Sequence, residues 1–244
     1  MKLIELLYPP TCPGCDKILS SAEHEVGFCL KCQKKIRLVG RNACMKCGST
    51  VSSDTTEFCQ DCRKKTHYFD QAKSVYRYSG AMKPAMYKFK YSNRRCYGRI
   101  FASQTVKMYG SWIRKIGVEM IIPIPMYLPK QRKRGYNQAE VYARALSSET
   151  GIPVSNEIVR RDRNTAPMKQ LNARERVKNL RTAFKLSENV VQFRKVLLVD
   201  DIYTTGTTMD TVAELLKTGG IKEVYGLCVC TGEAIDEPVI EGNF

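Results

Sequence analysis

The stretch from Lys195 to Asp210 reads KVLLVDDIYTTGTTMD, and it constrains the fold more tightly than any other part of the chain. Lys195 to Val199 is a short apolar run with charge on both sides, the pattern of a strand covered on both faces in a parallel sheet. Asp200 and Asp201 then stand at its carboxyl end, where open α/β sheets bind ligands. Thr204, Thr205, Gly206, Thr207 and Thr208 lead into MDTVAELLKTGG, whose Met209, Val212, Ala213, Leu215 and Leu216 repeat at helical spacing before a Gly-Gly stop. The stretch predicts a strand, a tight loop and a helix start. Backbone N–H groups at a helix N-terminus, with threonine hydroxyls beside them, suit a phosphate. Adjacent carboxylates suit a vicinal diol or a metal ion. The ligand this suggests is a sugar phosphate. A bare Asp-Asp-x-x-Thr string fits an ordinary strand-turn-helix with an Asp cap equally well, but the order here is longer and more specific.

That order resembles the phosphoribosyl-pyrophosphate (PRPP) motif of type I phosphoribosyltransferases. The resemblance implies that Asp200 and Asp201 bind the ribose hydroxyls and that Thr204, Thr205, Gly206, Thr207 and Thr208 bind the 5′-phosphate, with Mg²⁺ accompanying PRPP. Upstream, EMIIPIPM offers an apolar strand ending in two prolines. By the same resemblance, Pro123, Ile124, Pro125 and Met126 take the place of the pyrophosphate loop, where proline fixes a backbone whose amides must face an anion.

Eleven cysteines in a 244-residue chain would be unusual as disulfides without a secretory signal, and MKLIELLYPP, interrupted by Glu5, is too short for a secretory or membrane segment. A cytoplasmic protein with bound metal and no membrane insertion is the expectation. Eight cysteines form four CxxC pairs: Cys12 and Cys15, Cys29 and Cys32, Cys44 and Cys47, Cys59 and Cys62. The gaps match two zinc ribbons, each with four thiolates around one Zn²⁺. Sequential pairing is favoured because CPGCD and CMKCG both look like opening knuckles, and a cross-braced arrangement stays open. With four pairs satisfying two ions, His24 and His67 read as surface residues. Cys228 and Cys230 fall on one face of a predicted strand as packing residues, and Cys96 has no partner at ligand spacing.

Residues 69–199 hold 27 Lys and Arg against 8 Asp and Glu, a surplus of 19 within a net charge of +16. Such a surplus calls for polyanions: PRPP, pyrophosphate or a nucleic-acid backbone. The segment opens with a predicted strand, AKSVYRY, and two helical stretches containing YKFKYSNRR; a helix from Asn137 to Thr150 follows later. Then IVRRDRNTAPMKQLNARERVKNLRTAF carries six arginines and two lysines, with a short helix predicted from Asn172 to Leu180. It reads as a lid over a charged leaving group, with a solvated loop as the plain alternative.

In chain order, CPGC, CLKC, CMKCG, CQDC, YKFKY, PIPMYLPKQRKRGYNQA, QLNARERVKNLRTAF and VLLVDDIYTTGTT resemble the ComF/ComFC family, phosphoribosyltransferase-like proteins linked to natural competence in bacteria. The resemblance spans roughly residues 3–231. It makes signature positions of Arg134, Gly135, Tyr136, Asn137 and Gln138, and of Gln170, Leu171, Arg174, Arg176 and Asn179, with Arg174 and Arg176 in the proposed lid. It implies an α/β fold, a type I phosphoribosyltransferase-like parallel sheet flanked by helices and preceded by a small double zinc-ribbon module. The expected division is 1–68 for the ribbons, 69–231 for the transferase-like domain and 232–244 for an acidic tail. The implied role is handling single-stranded DNA during transformation, beside other DNA-uptake proteins such as a helicase. Purine-salvage enzymes with this motif carry a carboxylate where Thr204 stands, and without it nothing obvious deprotonates a purine nitrogen. The catalytic group is unknown, and two readings stay open: a transferase with an unknown acceptor, or a non-catalytic PRPP sensor or DNA-binding adaptor.

Overall fold

The computed structural model describes residues 9–40, 42–53, 55–163, 182–187 and 192–232. Its central sheet has the order β1 (Gln71–Arg77), β6 (Glu223–Thr231), β5 (Lys195–Tyr203), β2 (Met120–Pro123), with every neighbouring pair parallel. A short antiparallel pair, β3 (Val159–Arg161) and β4 (Phe184–Leu186), stands apart from it. Among the described residues the helices are α1 (Ser21–Val26), α2 (Leu30–Gln33) and α3 (Gln60–Lys64) in the cysteine region, then α4 (Met82–Tyr91), α5 (Tyr97–Ile116), α6 (Leu128–Arg134), α7 (Gln138–Thr150) and α8 (Thr207–Thr218).

Strand β5 runs farther than its apolar stretch. β6 pairs with it as far as Ile202 opposite Cys230 and Tyr203 opposite Thr231. The acid pair therefore lies within the last part of the strand and not just after it, because main-chain pairing does not stop where apolar side chains do. Successive strand residues point to opposite faces. Val196 and Leu198 pack on one face with Met209, Val212 and Leu216 of α8, whereas Leu197 and Val199 pack on the other with Met86, Phe89 and Tyr142.

Each face also receives one cysteine group. Cys12, Cys29 and Cys32 belong to the apolar cluster of α4, α5 and α7; Cys44 and Cys47 belong to that of α8, β3 and β4. The ribbons join the sheet by main-chain bonds as well, Val39 N to Val75 O at 3.1 Å and Ala72 N to Lys46 O at 2.7 Å. The expected helix from Asn172 to Leu180, with Gln170, Leu171, Arg174, Arg176 and Asn179, lies outside the described residues, as does the tail beyond Gly232.

Candidate functional site

Asp200 follows Leu198 onto the α8 face, and Asp201 follows Val199 onto the α4 face. Asp200 shares a small cleft with Ile202, Tyr203, Thr204, Gly206, Thr207, Thr208, Met209 and Cys228. Asp201 meets Lys90 of α4 instead, with Nζ 3.1 Å from Oδ2. The two carboxylates flank the end of one strand and do not converge on one side of it. Asp200 accepts a hydrogen bond from the Asp201 N–H at 2.8 Å. Burial, and then the neighbouring Asp201 charge, push its carboxyl up to about 7.

The loop after the strand turns through Gly206, whose φ of 67° is left-handed. A Cβ there would run into the Tyr203 phenol, so glycine serves both the turn and the close packing. No side chain caps the first turn of α8, and Gly206, Thr207, Thr208 and Met209 of that turn line the cleft that Asp200 shares. A helix start with uncapped donors suits an anion.

Pro123 ends β2 opposite Val199, and Ile124 N donates to Val199 O at 2.9 Å. Pro125 and Met126 are half-buried beyond it. The proline loop and the acid pair thus leave the same edge of adjacent strands. Cations gather there from separate elements. Lys130 is held below its usual range by burial first and then by Arg134, Arg161 and Lys90, while Lys90 and Arg161 both act on Asp200. Lys90 was not singled out in the sequence as part of the site, whereas Arg161 falls within the arginine-rich segment read as a lid. Lys90 lay in YKFKY as one cation of a general basic stretch, and the pairing of β3 with β4 carries Arg161 to the site.

In the cysteine region the Sγ atoms fall into two groups, Cys12, Cys15, Cys29, Cys32 and Cys44, Cys47, Cys59, Cys62, with each group's atoms within 4.8 Å of one another. Pairing is sequential, which closes the cross-braced alternative. Tetrahedral Zn–S bonds of about 2.3 Å require sulfurs about 3.8 Å apart. Cys15 and Cys29 lie at 3.6 Å and Cys47 and Cys59 at 3.7 Å, so both groups fit structural Zn²⁺. His67 is not the surface residue expected. It is 5% exposed, stacked on Phe69 at 4.8 Å, with Nδ1 3.4 Å from Asp210 Oδ2. It closes the joint between ribbon and sheet, a role invisible without the packing. His24 is exposed and Cys228 and Cys230 are buried in β6, as expected, and Cys96 is exposed before α5, in neither Sγ group.

Two family models match: a double zinc ribbon domain over residues 3–64 and a phosphoribosyl transferase domain over residues 132–241. Competence protein F of Haemophilus influenzae is 34% identical over 208 residues, covering 82% of this chain and 90% of the relative. The chain belongs to the competence protein F family. DNA utilization protein YhgH of Escherichia coli K12 is 28% identical, with 84% of this chain and 90% of the relative covered. Competence protein ComFC of Streptococcus pneumoniae is 27% identical, with 81% and 84% covered.

The structure gives the RGYNQ signature of this ComF-family chain a physical meaning. Arg134 lies over Tyr91 at 4.7 Å and donates to Gln138 Oε1 at 2.8 Å. Gly135 ends α6 at φ 89°. Asn137 caps α7 by accepting from Ala139 N at 3.1 Å, and its amide donates to Ile124 O in the proline loop at 2.9 Å. Tyr136 hydroxyl donates to Phe89 O, and Gln138 Nε2 to Phe89 O at 3.4 Å. One short block therefore fixes both the proline loop and the end of α4.

Proposed function

We propose that this ComF-family protein binds PRPP with Mg²⁺ at the end of β5 and acts in the uptake or processing of transforming single-stranded DNA. The observation that carries the reading is Asp200 at the mouth of a threonine-lined cleft against the uncapped start of α8, with Lys90, Lys130, Arg134 and Arg161 around the same edge. In this reading Asp200 and Asp201 take the ribose hydroxyls and Thr204 to Thr208 the 5′-phosphate. Pro123 to Met126, with Arg174 and Arg176, take the pyrophosphate. Mg²⁺ would neutralise the diphosphate and support departure of the leaving group, and the cations of this edge would stabilise its developing charge.

The chain divides in this reading into the ribbons at 1–68, the transferase-like unit at 69–231 and the acidic tail at 232–244. The cytoplasm is its proposed place. Among the described residues no helix is long and apolar enough to cross a membrane. Other DNA-uptake proteins, a helicase among them, are the partners implied. A non-catalytic role as PRPP sensor or DNA adaptor is favoured by one observation: Thr204 occupies the position where a general base would stand. Pyrophosphate release, measured across bases, amines and oligonucleotides, separates the two. Release with one acceptor class makes the protein a transferase, and PRPP binding without release makes it a sensor.

A further inference from the structure

Lys90 is placed with unusual care for a cation near the surface. Gln138, fully buried, spends its amide on Phe89 O at 3.4 Å and Lys90 O at 3.5 Å, and Tyr136, 5% exposed, donates to Phe89 O as well. These carbonyls belong to the last turn of α4, which a surface helix normally leaves to water. On the same helix, Lys88 is tied to Asp16 of the first ribbon at 2.6 Å. The main chain at Lys90 is thus fixed from two sides, and its ammonium can move only by the side chain's own rotamers.

In this structure that ammonium lies on Asp201, with the two side chains 21% and 15% exposed. Strand alternation puts Asp201 on the α4 face, and this pair occupies its carboxylate there, away from the cleft where Asp200 meets the threonine loop. A ribose diol that used both carboxylates would have to take Asp201 from Lys90. The displaced ammonium would then be an unpaired, largely desolvated charge beside Lys130, Arg134 and Arg161, which is costly unless an anion arrives with the diol.

We propose that Lys90 is a specificity-determining residue with two positions: it neutralises Asp201 while the site is empty, and it turns to the diphosphate of PRPP when the ribose diol takes Asp201. The inference rests on the PRPP reading of this site and adds to it a reason for preferring the diphosphate. PRPP offers the ammonium a second partner. Ribose 5-phosphate, which has the diol and the 5′-phosphate alone, does not.

The test is calorimetric binding of PRPP and of ribose 5-phosphate, each with Mg²⁺, to the full chain and to Lys90→Met. Losing a charge-assisted contact should weaken PRPP about tenfold or more, while removing the competing ammonium should tighten ribose 5-phosphate a few-fold. The two affinities move in opposite directions. Lys90→Gln should give the same crossing and serves if Lys90→Met does not fold. Equal weakening of both ligands would mean that Lys90 only shapes Asp201 and would overturn the proposal, as would unchanged affinities for both. A wild-type chain that binds neither ligand overturns the PRPP reading itself and this inference with it, and that outcome is seen before any variant is made.

Discussion

Lys65 Nζ lies 3.0 Å from Oδ2 of Asp210, and through this contact the end of the second zinc ribbon grips the first turn of the helix that follows the threonine loop. His67 Nδ1 approaches the same oxygen at 3.4 Å, and Tyr68 N donates to Oδ1 at 2.7 Å. Burial pushes the Asp210 carboxyl up, but the bonds from His67 and Tyr68 and the charge of Lys65 outweigh it, leaving the group below its usual range. Tyr203, edge-on to Phe69 and packed under Gly206, joins the same ribbon side to the loop from below. The ribbon and the proposed phosphate site form one packed unit.

Two zinc ions per chain are expected by elemental analysis, and Cys44→Ser should release one of them. From the sequence, loss of a ribbon ligand would loosen the N-terminal region and leave the α/β core intact. The packing changes that expectation. Cys44 is fully buried in the cluster that holds Val196, Leu198 and Met209, so the variant should also lower the melting temperature of the whole chain and weaken PRPP binding. A freshly purified protein without zinc would contradict this.

PRPP with Mg²⁺ should stabilise the protein against heat, by about 2.7 kcal/mol at a hundredfold excess over Kd. Asp200→Ala with Asp201→Ala should abolish that gain without unfolding the ligand-free protein, in which removal of the buried Asp200 carboxyl offsets the loss of Asp201 as partner to Lys90. An unchanged ligand shift in the double variant would show that the acid pair is not the binding feature.

The raised Asp200 carboxyl gives PRPP binding a pH dependence of known sign. With a folded value of about 7, above its ordinary range, the empty protein holds a proton there that the unfolded chain has already lost. The contribution of Asp200 to stability is therefore full at low pH and declines as pH rises through the interval up to about 7. A diol or Mg²⁺ needs the ionised form. Affinity should rise between about pH 6 and 8, with proton release on binding, and Asp200→Asn should remove that part of the dependence. Calorimetry in buffers of different ionisation enthalpy measures the release directly. Equal proton release from wild type and Asp200→Asn would assign the titration to the ligand's own phosphates.

Single-stranded DNA should bind beside this edge in a salt-dependent manner, because each neutralised phosphate releases counterions. Of the aromatics in the basic stretch, Phe89 and Tyr136 are core, while Tyr87 and Tyr91 are 61% and 60% exposed, with ring centroids 5.1 Å apart. Lys130, Arg132 and Lys133 on α6 changed together to alanine should lower both the affinity and the salt slope. Tyr87→Ala with Tyr91→Ala should lower affinity and leave the slope, since stacking carries no counterions. Fluorescence anisotropy with a labelled oligonucleotide across a salt series distinguishes the two, and a flat salt dependence would place the site elsewhere.

The sequence by itself determined the parts whose signal is local. Four CxxC pairs fixed the zinc ligands because each knuckle closes within four residues, and VLLVDDIYTTGTT fixed strand, loop and helix because period and turn chemistry both act over short range. Sequential zinc pairing was favoured by the same local reading, and the Sγ distances then decided it. Only the tertiary structure decided which face each acid takes, since alternation along β5 acquires meaning when α8 covers one side and α4 the other. It also decided that Lys90 meets Asp201 across 111 positions of sequence, and that His67 is a buried joint with Asp210 rather than a surface residue. Such contacts join residues distant in the chain, and their energy comes from the packing of parallel strands and crossover helices around them. No local pattern in the chain encodes that packing.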